Sequence, residues 1–577
     1  MDRFPEACRC AVRRSGAQIS VSRKRLPLSR GAPRGANGEQ TGALNGPIVL
    51  VSRLGYLDTV SYSNGVPDVE TVPYLFRSAC ASTPDRPFLI FTQDDGSYTY
   101  EQAARLIDRA AAVWHHLGVR RGDRVAFLLD NRPLFVWAWL GLASLGGILV
   151  AVNTGFRSAE ADYLVTDSGS GITLVGTEYP DVVTATTVLD EDQFTGLMAA
   201  GLPTAPAVAV EGDDVISLVY TSGTTGRPKG VMQTHRNYVR TGQAYVDWMR
   251  MADGDRIYAC LPLFHINSQA YSTMAAITAR GAMVLAPRFS ARNFWPDVRR
   301  HHVTVFNFIG AMAVILSKKD PEPEDADNDV RVAYGVPALA PEIVADVERR
   351  FGLRVVSGFG MSETTFGLLE PLDEPRRPGS MGVPRHHPDP RFPRTEVKIV
   401  DEHGTEVPRG TTGELVLRNA AMMAGYYGDP EQTAAVLRDG WLHTGDSAYQ
   451  DADGFCYFVD RIKDIVRRRG ENVSSLEVER AIARHDAIGE AAVIGVPAEL
   501  SDEELMVFVV PKPGGPALSP EDVFDWAAAT LAPFKVPTYL RIVDALPKTA
   551  TAKVRKDRLR EEDARNPALR IVRPSSR

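Results

Sequence analysis

Residues Tyr220 to Gly230 read YTSGTTGRPKG and follow directly on the apolar, β-branched run Val215-Ile216-Ser217-Leu218-Val219. Three glycines, four aliphatic hydroxyls and one lysine fall within these eleven residues. A buried strand that empties into such a loop suits phosphate. Glycine lets backbone N–H groups turn toward an anion without a Cβ in the way, hydroxyls donate further hydrogen bonds, and lysine adds charge. A plain Ser/Gly/Thr linker is the alternative, but Lys229 held between Pro228 and Gly230 straight after a strand is not linker composition. The loop is not a Walker A sequence, because Gly226 and Gly230 enclose three residues and no Gly-Lys-Ser/Thr follows. Nor is Gly358-Phe359-Gly360 a dinucleotide fingerprint, since Met361-Ser362-Glu363 follows where the third glycine would stand.

The chain around this loop is long enough, at 577 residues, for about four average domains, or for fewer where subdomains merge into one α/β body. A net charge of −7, with basic residues scattered beyond the N-terminus, offers no attraction to nucleic acid. Five cysteines, spread from Cys8 to Cys456, form neither a disulfide framework nor a zinc site, which fits a reducing, cytoplasmic setting. Pro133 to Phe156 carries no charge, but Gly146-Gly147 divides it into a helix-like half and a β-branched half. A buried helix, turn and strand are expected there, not membrane insertion. Residues 1–66 are Arg- and Ser-rich without apolar periodicity, the composition of an unfolded extension or a transit peptide; an extension is the preferred reading.

From Val72 onward, helical patterns such as Tyr100 to Leu117 alternate with short apolar strands at Arg124–Leu129, Ile172–Val175, Ile257–Cys260, Met283–Leu285, Val303–Phe308 and Val355–Val356. This alternation predicts a layered α/β domain of mostly parallel sheets over residues 67–460. Strands at Thr395–Val400 and Gly413–Leu417, set among Gly, Pro and Asp, predict a β-rich subdomain at its end. Beyond Asp460-Arg461 a small α+β domain, residues 461–577, is expected, with helices at Ser475–Arg484 and Pro520–Leu531 and strands at Ala491–Val496 and Leu505–Pro511.

Further motifs follow in order: Gly335-Val336-Pro337, Gly358 to Thr364 (GFGMSET), Trp441 to Asp446 (WLHTGD), Asp460 to Asp464 (DRIKD) and Leu546 to Lys553 (LPKTATAK). Together with the phosphate loop, this series resembles the adenylate-forming superfamily of acyl-CoA synthetases, peptide-synthetase adenylation domains and luciferases. The resemblance covers about Val72 to Arg560. It implies that Thr221, Ser222, Gly223, Thr224, Thr225, Gly226 and Lys229 shield the β- and γ-phosphates of ATP, and that Gly335, Val336 and Pro337 pack against adenine. Phe359 and Gly360 are implied beside the base, Ser362 at the α-phosphate, and Glu363 as a ligand to Mg²⁺. A carboxylate beside triphosphate makes sense only with such an ion between the charges. Asp446 is implied as acceptor for both ribose hydroxyls, which an acceptor-only carboxylate suits, with Arg461 as a second ribose contact. Lys463 falls at the interdomain hinge, Lys553 at the catalytic lysine and His265 at the gate of the acyl pocket. Ala552 stands where relatives carry glycine, and a helix N-cap is the plain alternative for Ser362-Glu363.

The implied reaction is attack of a carboxylate on the α-phosphate of Mg-ATP, giving acyl-AMP and pyrophosphate, then transfer of the acyl group to coenzyme A. The small domain rotates between the two steps. The turn Arg467-Arg468-Arg469 is a candidate contact for CoA phosphates, with a solvated basic turn as the alternative. Around Pro262 to Tyr271 the texture is closest to the carnitine/crotonobetaine-CoA ligase branch. A quaternary ammonium would want an acidic group or an aromatic cage; Ile257 to Leu285 holds no Asp or Glu and Glu363 is assigned to magnesium, which favours a small or medium, unsaturated or aromatic acid. Transfer to a carrier thiol, an amine or nitrite, a luciferase-like oxygenation and a non-catalytic binding protein remain open alternatives, as does monomer against homodimer. The His386-His387 pair lacks a third ligand and reads as a surface loop.

Overall fold

The computed structural model describes residues 70–221, 228–336, 339–390, 392–468, 471–497, 503–549 and 553–573. Ser222, Gly223, Thr224, Thr225, Gly226, Pro337, Arg469, Ala552 and residues 1–66 lie outside the described residues.

Among the described residues, two large sheets carry the α/β layers. In one, strands Pro87–Phe91, Ala282–Leu285, Arg256–Ala259, Val305–Ile309, Val332–Val336 and Arg354–Phe359 run parallel in that spatial order, with short antiparallel strands at both edges. In the other, Thr187–Asp190, Ile172–Val175, Arg124–Leu128, Ile148–Ala151 and Val215–Thr221 are parallel. The antiparallel strands Lys229–Thr234 and Gly425–Tyr426 then close that edge. The strands are buried on both faces, which explains their unbroken apolar runs. The strand expected at Val303 begins at Val305, because the Val303 N–H is taken by Val298 O in the turn that ends helix Phe294–Arg300.

Pro133–Ser144 is a helix buried along nearly its whole length, followed by a turn at Gly146 (φ +69°) and strand Ile148–Ala151. The uncharged stretch is thus core, and no helix among the described residues is long and apolar enough to cross a membrane. Helix Tyr100–His116 starts from a capping box between Thr99 and Gln102 and lies against it. The approach is close: a Cβ on Gly141 would stand 2.8 Å from Ala110 Cβ.

The β-rich region is an antiparallel sheet of Glu396–Val400, Gly413–Arg418, Trp441–Gln450, Leu437–Arg438 and Cys456–Arg461. Beyond it lie a hairpin, Ile465–Arg468 with Glu471–Ser474, and a sheet of Ile488–Pro497, Glu503–Pro511, Tyr539–Ile542 and Ile571–Val572. Helices Ser475–Ile482, Pro520–Thr530 and Lys556–Arg565 accompany them. Val478, Ile482, Val493, Val507, Val523 and Phe524 form a core separate from that of the large sheets. Arg468 does not face solvent as a phosphate contact. It is 6 % exposed, ion-paired to Glu504 at 2.5 Å, and donates to the carbonyls of Phe534 and Val536, so the charge is consumed in holding this region together.

Helix His235–Trp248 leaves the strand after the phosphate loop and crosses helix Met274–Thr278 at Gly242, where a Cβ would stand 2.6 Å from Met274 Cβ and 2.9 Å from its backbone. Gly242→Ala is expected to destabilise the protein by about 1–3 kcal/mol through overpacking, seen as a lower midpoint in thermal unfolding.

Candidate active site

The phosphate loop is rooted twice. Tyr220 pairs with Gly230 and Thr221 with Lys229 across the antiparallel strands. Tyr220 Oη donates to Asp167 at 2.7 Å, and Tyr163 on the same helix, Ser158–Ser168, reaches the Pro228 carbonyl at 3.2 Å. Lys229 Nζ donates to Gln432 Oε1 and lies 5.3 Å above the Tyr426 ring. Tyr426 is carried on the edge strand Gly425–Tyr426, and its hydroxyl donates to Glu363 Oε1 at 2.9 Å.

Glu363 lies in a turn that follows strand Arg354–Phe359. No helix begins there, so the N-cap alternative for Ser362-Glu363 falls away. Thr365 holds φ +49°, an unusual conformation for a β-branched residue; its carbonyl accepts from Tyr271 Oη and its hydroxyl lies 2.8 Å from Thr241 Oγ1. The Ser362 carbonyl accepts from Gln233 Nε2, and the Glu363 carbonyl from the Met423 N–H at 2.7 Å. Glu363 is 7 % exposed, and burial raises its pKa, against the Tyr426 hydrogen bond.

Asp446 and Arg461 stand opposite one another on strands Trp441–Gln450 and Cys456–Arg461, with Arg461 Nε 2.7 Å from Asp446 Oδ1. Asp446 is 1 % exposed; burial lifts its pKa to about 6, opposed by the charges of Arg461 and Lys553. His443 is held by Glu414 at 2.8 Å and takes a structural place on the same strand. Lys553 is an exposed residue, yet protein around its ammonium lowers the pKa, and Arg461 lowers it further, while Asp446 and Glu363 oppose. His265 precedes the π-helix Asn267–Thr273; burial takes its pKa down to about 4, and Lys553 contributes to that shift.

Lys553 therefore lies within electrostatic range of His265, Glu363, Asp446 and Arg461, groups drawn from segments far apart in sequence. Gly335, next to last in strand Val332–Val336, has no room for a side chain, since a Cβ would meet the Phe308 ring at 2.2 Å; at Gly360 it would meet the Thr365 carbonyl at 2.4 Å. Val336 is half-buried at the strand end, and Phe359 packs against the cluster of Leu368, Met381, Ile399 and Leu415. Lys463 is exposed in the short 3-10 turn Ile462–Asp464, its carbonyl accepting from Arg560 at 3.2 Å. Tyr426, Gln432 and Gln233 are contacts that the sequence motifs do not single out, and no local signal in Gly425-Tyr426-Tyr427 would have pointed to Glu363.

Residues 76–427 match the AMP-binding enzyme family, and residues 477–553 match the AMP-binding enzyme C-terminal domain. The chain belongs to the AMP-binding enzyme family, as an adenylate-forming acyl-CoA ligase. It is similar to the crotonobetaine/carnitine–CoA ligase of Salmonella agona, with 33% identity over 515 residues, 82% of this chain and 96% of that one. Among solved structures, ATP-bound MatB of Rhodopseudomonas palustris superposes with a TM-score of 0.77 at 27% identity, over 85% of this chain and 99% of that one. The apo form of that protein gives 0.66 at the same identity and coverage. The o-succinylbenzoate CoA synthetase of Bacillus subtilis, with its acyl-adenylate intermediate, gives 0.75 at 27% identity, over 84% and 97% of the two chains.

With burial taking its pKa down to about 4, His265 should be neutral at pH 7, and its ring should titrate near pH 4 in an NMR titration of the labelled protein. Lys553→Met removes a neighbouring positive charge that disfavours the imidazolium, so the His265 midpoint should move upward; an unchanged midpoint would show that the two groups are not neighbours.

Proposed function

We infer that this chain activates a carboxylic acid as its acyl-adenylate, with release of pyrophosphate, and then passes the acyl group to the thiol of coenzyme A. The observation that carries this reading is the convergence of Lys553 on His265, Glu363 and the Asp446–Arg461 pair, beside a strand that opens into the glycine-rich loop. In the first step a carboxylate oxygen bonds to the α-phosphorus as the bond to the β-phosphate oxygen breaks. Lys553 lies between the two anions, where its charge offsets their repulsion and the charge that develops in the transition state. His265, neutral beside it, borders the acyl group without adding charge. Asp446 accepts from the ribose hydroxyls, with Arg461 holding the carboxylate in place. Thr221, Lys229 and the loop residues 222–226 enclose the phosphates, while Gly335, Val336, Pro337, Phe359 and Gly360 border the base, and Ser362 meets the α-phosphate.

Glu363 fits a magnesium ion that arrives on the nucleotide. Among the described residues no group of three or more His, Cys, Asp or Glu could hold a metal by itself. A single buried carboxylate, with one oxygen held by Tyr426, suits an ion that takes most of its ligands from phosphate and water. Bound there, the ion supplies charge neutralisation across the phosphates. In the second half-reaction the CoA sulfur attacks the acyl carbon and AMP leaves. For this step residues 461–577 turn about Lys463 relative to residues 67–460, taking Lys553 out of the site. The acid we propose is compact and uncharged at its far end, unsaturated or aromatic. Ile257 to Leu285 holds no carboxylate for a quaternary ammonium, and Glu363 is taken by the magnesium ion.

A pyrophosphate-release screen over short, unsaturated, aromatic and trimethylammonium acids, with and without CoA, tests the reading. Sustained turnover should need CoA and be highest with the unsaturated or aromatic acids. Turnover that ignores CoA would reassign the acceptor, and a preference for crotonobetaine would overturn the proposed substrate class.

Lys553→Ala should reduce adenylation by about a hundredfold or more, the scale of a lost transition-state charge contact, while leaving thioester formation from supplied acyl-adenylate nearly intact. Equal loss in both half-reactions, measured by single-turnover assays, would remove the role given to Lys553.

A further inference from the structure

Asp460 precedes Arg461 on strand Cys456–Arg461 and is 4 % exposed. Successive side chains of a strand point to opposite faces, so as Arg461 reaches Asp446, the Asp460 carboxylate turns away from the nucleotide side. There Oδ2 accepts from Ser475 Oγ at 2.7 Å, from Ser474 Oγ at 3.1 Å and from the Leu476 N–H at 3.1 Å; Oδ1 accepts from the Arg461 N–H at 2.7 Å. Ser474, Ser475 and Leu476 open helix Ser475–Ile482, beyond Lys463 along the chain.

The connection runs on. Ser475 Oγ, fully buried and donating its proton to Asp460, accepts from Lys556 Nζ at 2.5 Å, and the same ammonium is paired with Glu479 at 2.7 Å. Lys556 starts helix Lys556–Arg565, three residues after Lys553. A polar chain of Asp460, Ser475 and Lys556 thus joins the strand that carries Arg461 to the segment that carries Lys553. Each link involves an ionised group in surroundings largely closed to water, which makes these hydrogen bonds stronger than neutral, solvated ones. Nothing in the chemistry of the two half-reactions uses Asp460 or Lys556 directly.

We propose that Asp460 is a positioning residue for the adenylation half-reaction: by gripping Ser475, and through it Lys556, across the Lys463 junction, it sets where Lys553 stands against Asp446 and His265. The grip must open for the turn that precedes thioester formation. This rests on the reading that Lys553 serves adenylation. A side chain that merely held the fold together would affect both half-reactions alike, whereas a latch for one arrangement affects them differently.

The test uses the full-length protein and single-turnover assays of each half-reaction, with benzoate as the acid, or the best acid from the panel if benzoate is not turned over. Asp460→Asn keeps the shape and removes the charge. It should slow pyrophosphate release by about tenfold or more, as expected for loss of a charge-assisted contact, while thioester formation from supplied acyl-adenylate stays within about twofold or rises. Ser475→Ala, which cuts the link to Lys556 yet leaves the Ser474 and Leu476 contacts, should act in the same direction to a smaller extent, and it decides the matter if Asp460→Asn unfolds. Equal loss in both half-reactions, or no loss in either, overturns the proposal. Lys553→Ala is assayed in parallel: a split there with none at Asp460 or Ser475 sinks the latch alone, and no split at Lys553 sinks the lysine assignment and the latch with it.

Discussion

Two carboxylates, Glu363 and Asp446, are carried out of water within reach of the same lysine, and the arrangement of the site follows from how that burial is offset. An unpaired buried carboxylate would simply take up a proton. Here Asp446 is met by Arg461 on the neighbouring strand and Glu363 by the Tyr426 hydroxyl, with Lys229 adding charge near Glu363 and Lys553 near Asp446. Burial outweighs these partners, and both carboxylates lie above their ordinary pKa range. A site in this condition favours ligands that bring donors to Asp446 and a cation to Glu363.

The sheets exist, in functional terms, to hold these groups in register. Strand Val215–Thr221 carries the root of the phosphate loop at the edge of one parallel sheet; strands Val332–Val336 and Arg354–Phe359 of the other deliver Gly335 and the turn with Glu363. Asp446 and Arg461 come from a third, antiparallel sheet whose register places them face to face. Segment Met423–Tyr427 laces the parts together, with N–H groups of Met423, Ala424 and Tyr427 donating to Glu363, Met232 and Gly230.

Much of this was legible in the residue order. The alternation of apolar strands with amphipathic helices announced parallel layers, and Pro133 to Phe156 resolved into helix, turn and strand because Gly146-Gly147 interrupts it. Candidate site residues were legible because their chemistry is concentrated in short strings with glycine, hydroxyl and charge together. Pairings made at long range were not. Tyr426 is distinguished only by the partner 63 residues away to which its hydroxyl donates. Arg467-Arg468-Arg469 looks uniformly basic, yet strand alternation sends Arg468 inward to Glu504 while Arg467 stays exposed. Burial of one charge within a charged run depends on the tertiary environment and leaves no mark in composition.

The twofold rooting of the phosphate loop has an entropic consequence. With Tyr220 fixed to Asp167 and the Pro228 carbonyl to Tyr163, only residues 221–227 lie between two posts borne by one helix. The cost of bringing the ends of this loop together is met as the protein folds, because Tyr220 and Pro228 are held by side chains of the same helix. A triphosphate therefore meets two loop ends already held at a fixed spacing and does not have to bring them together.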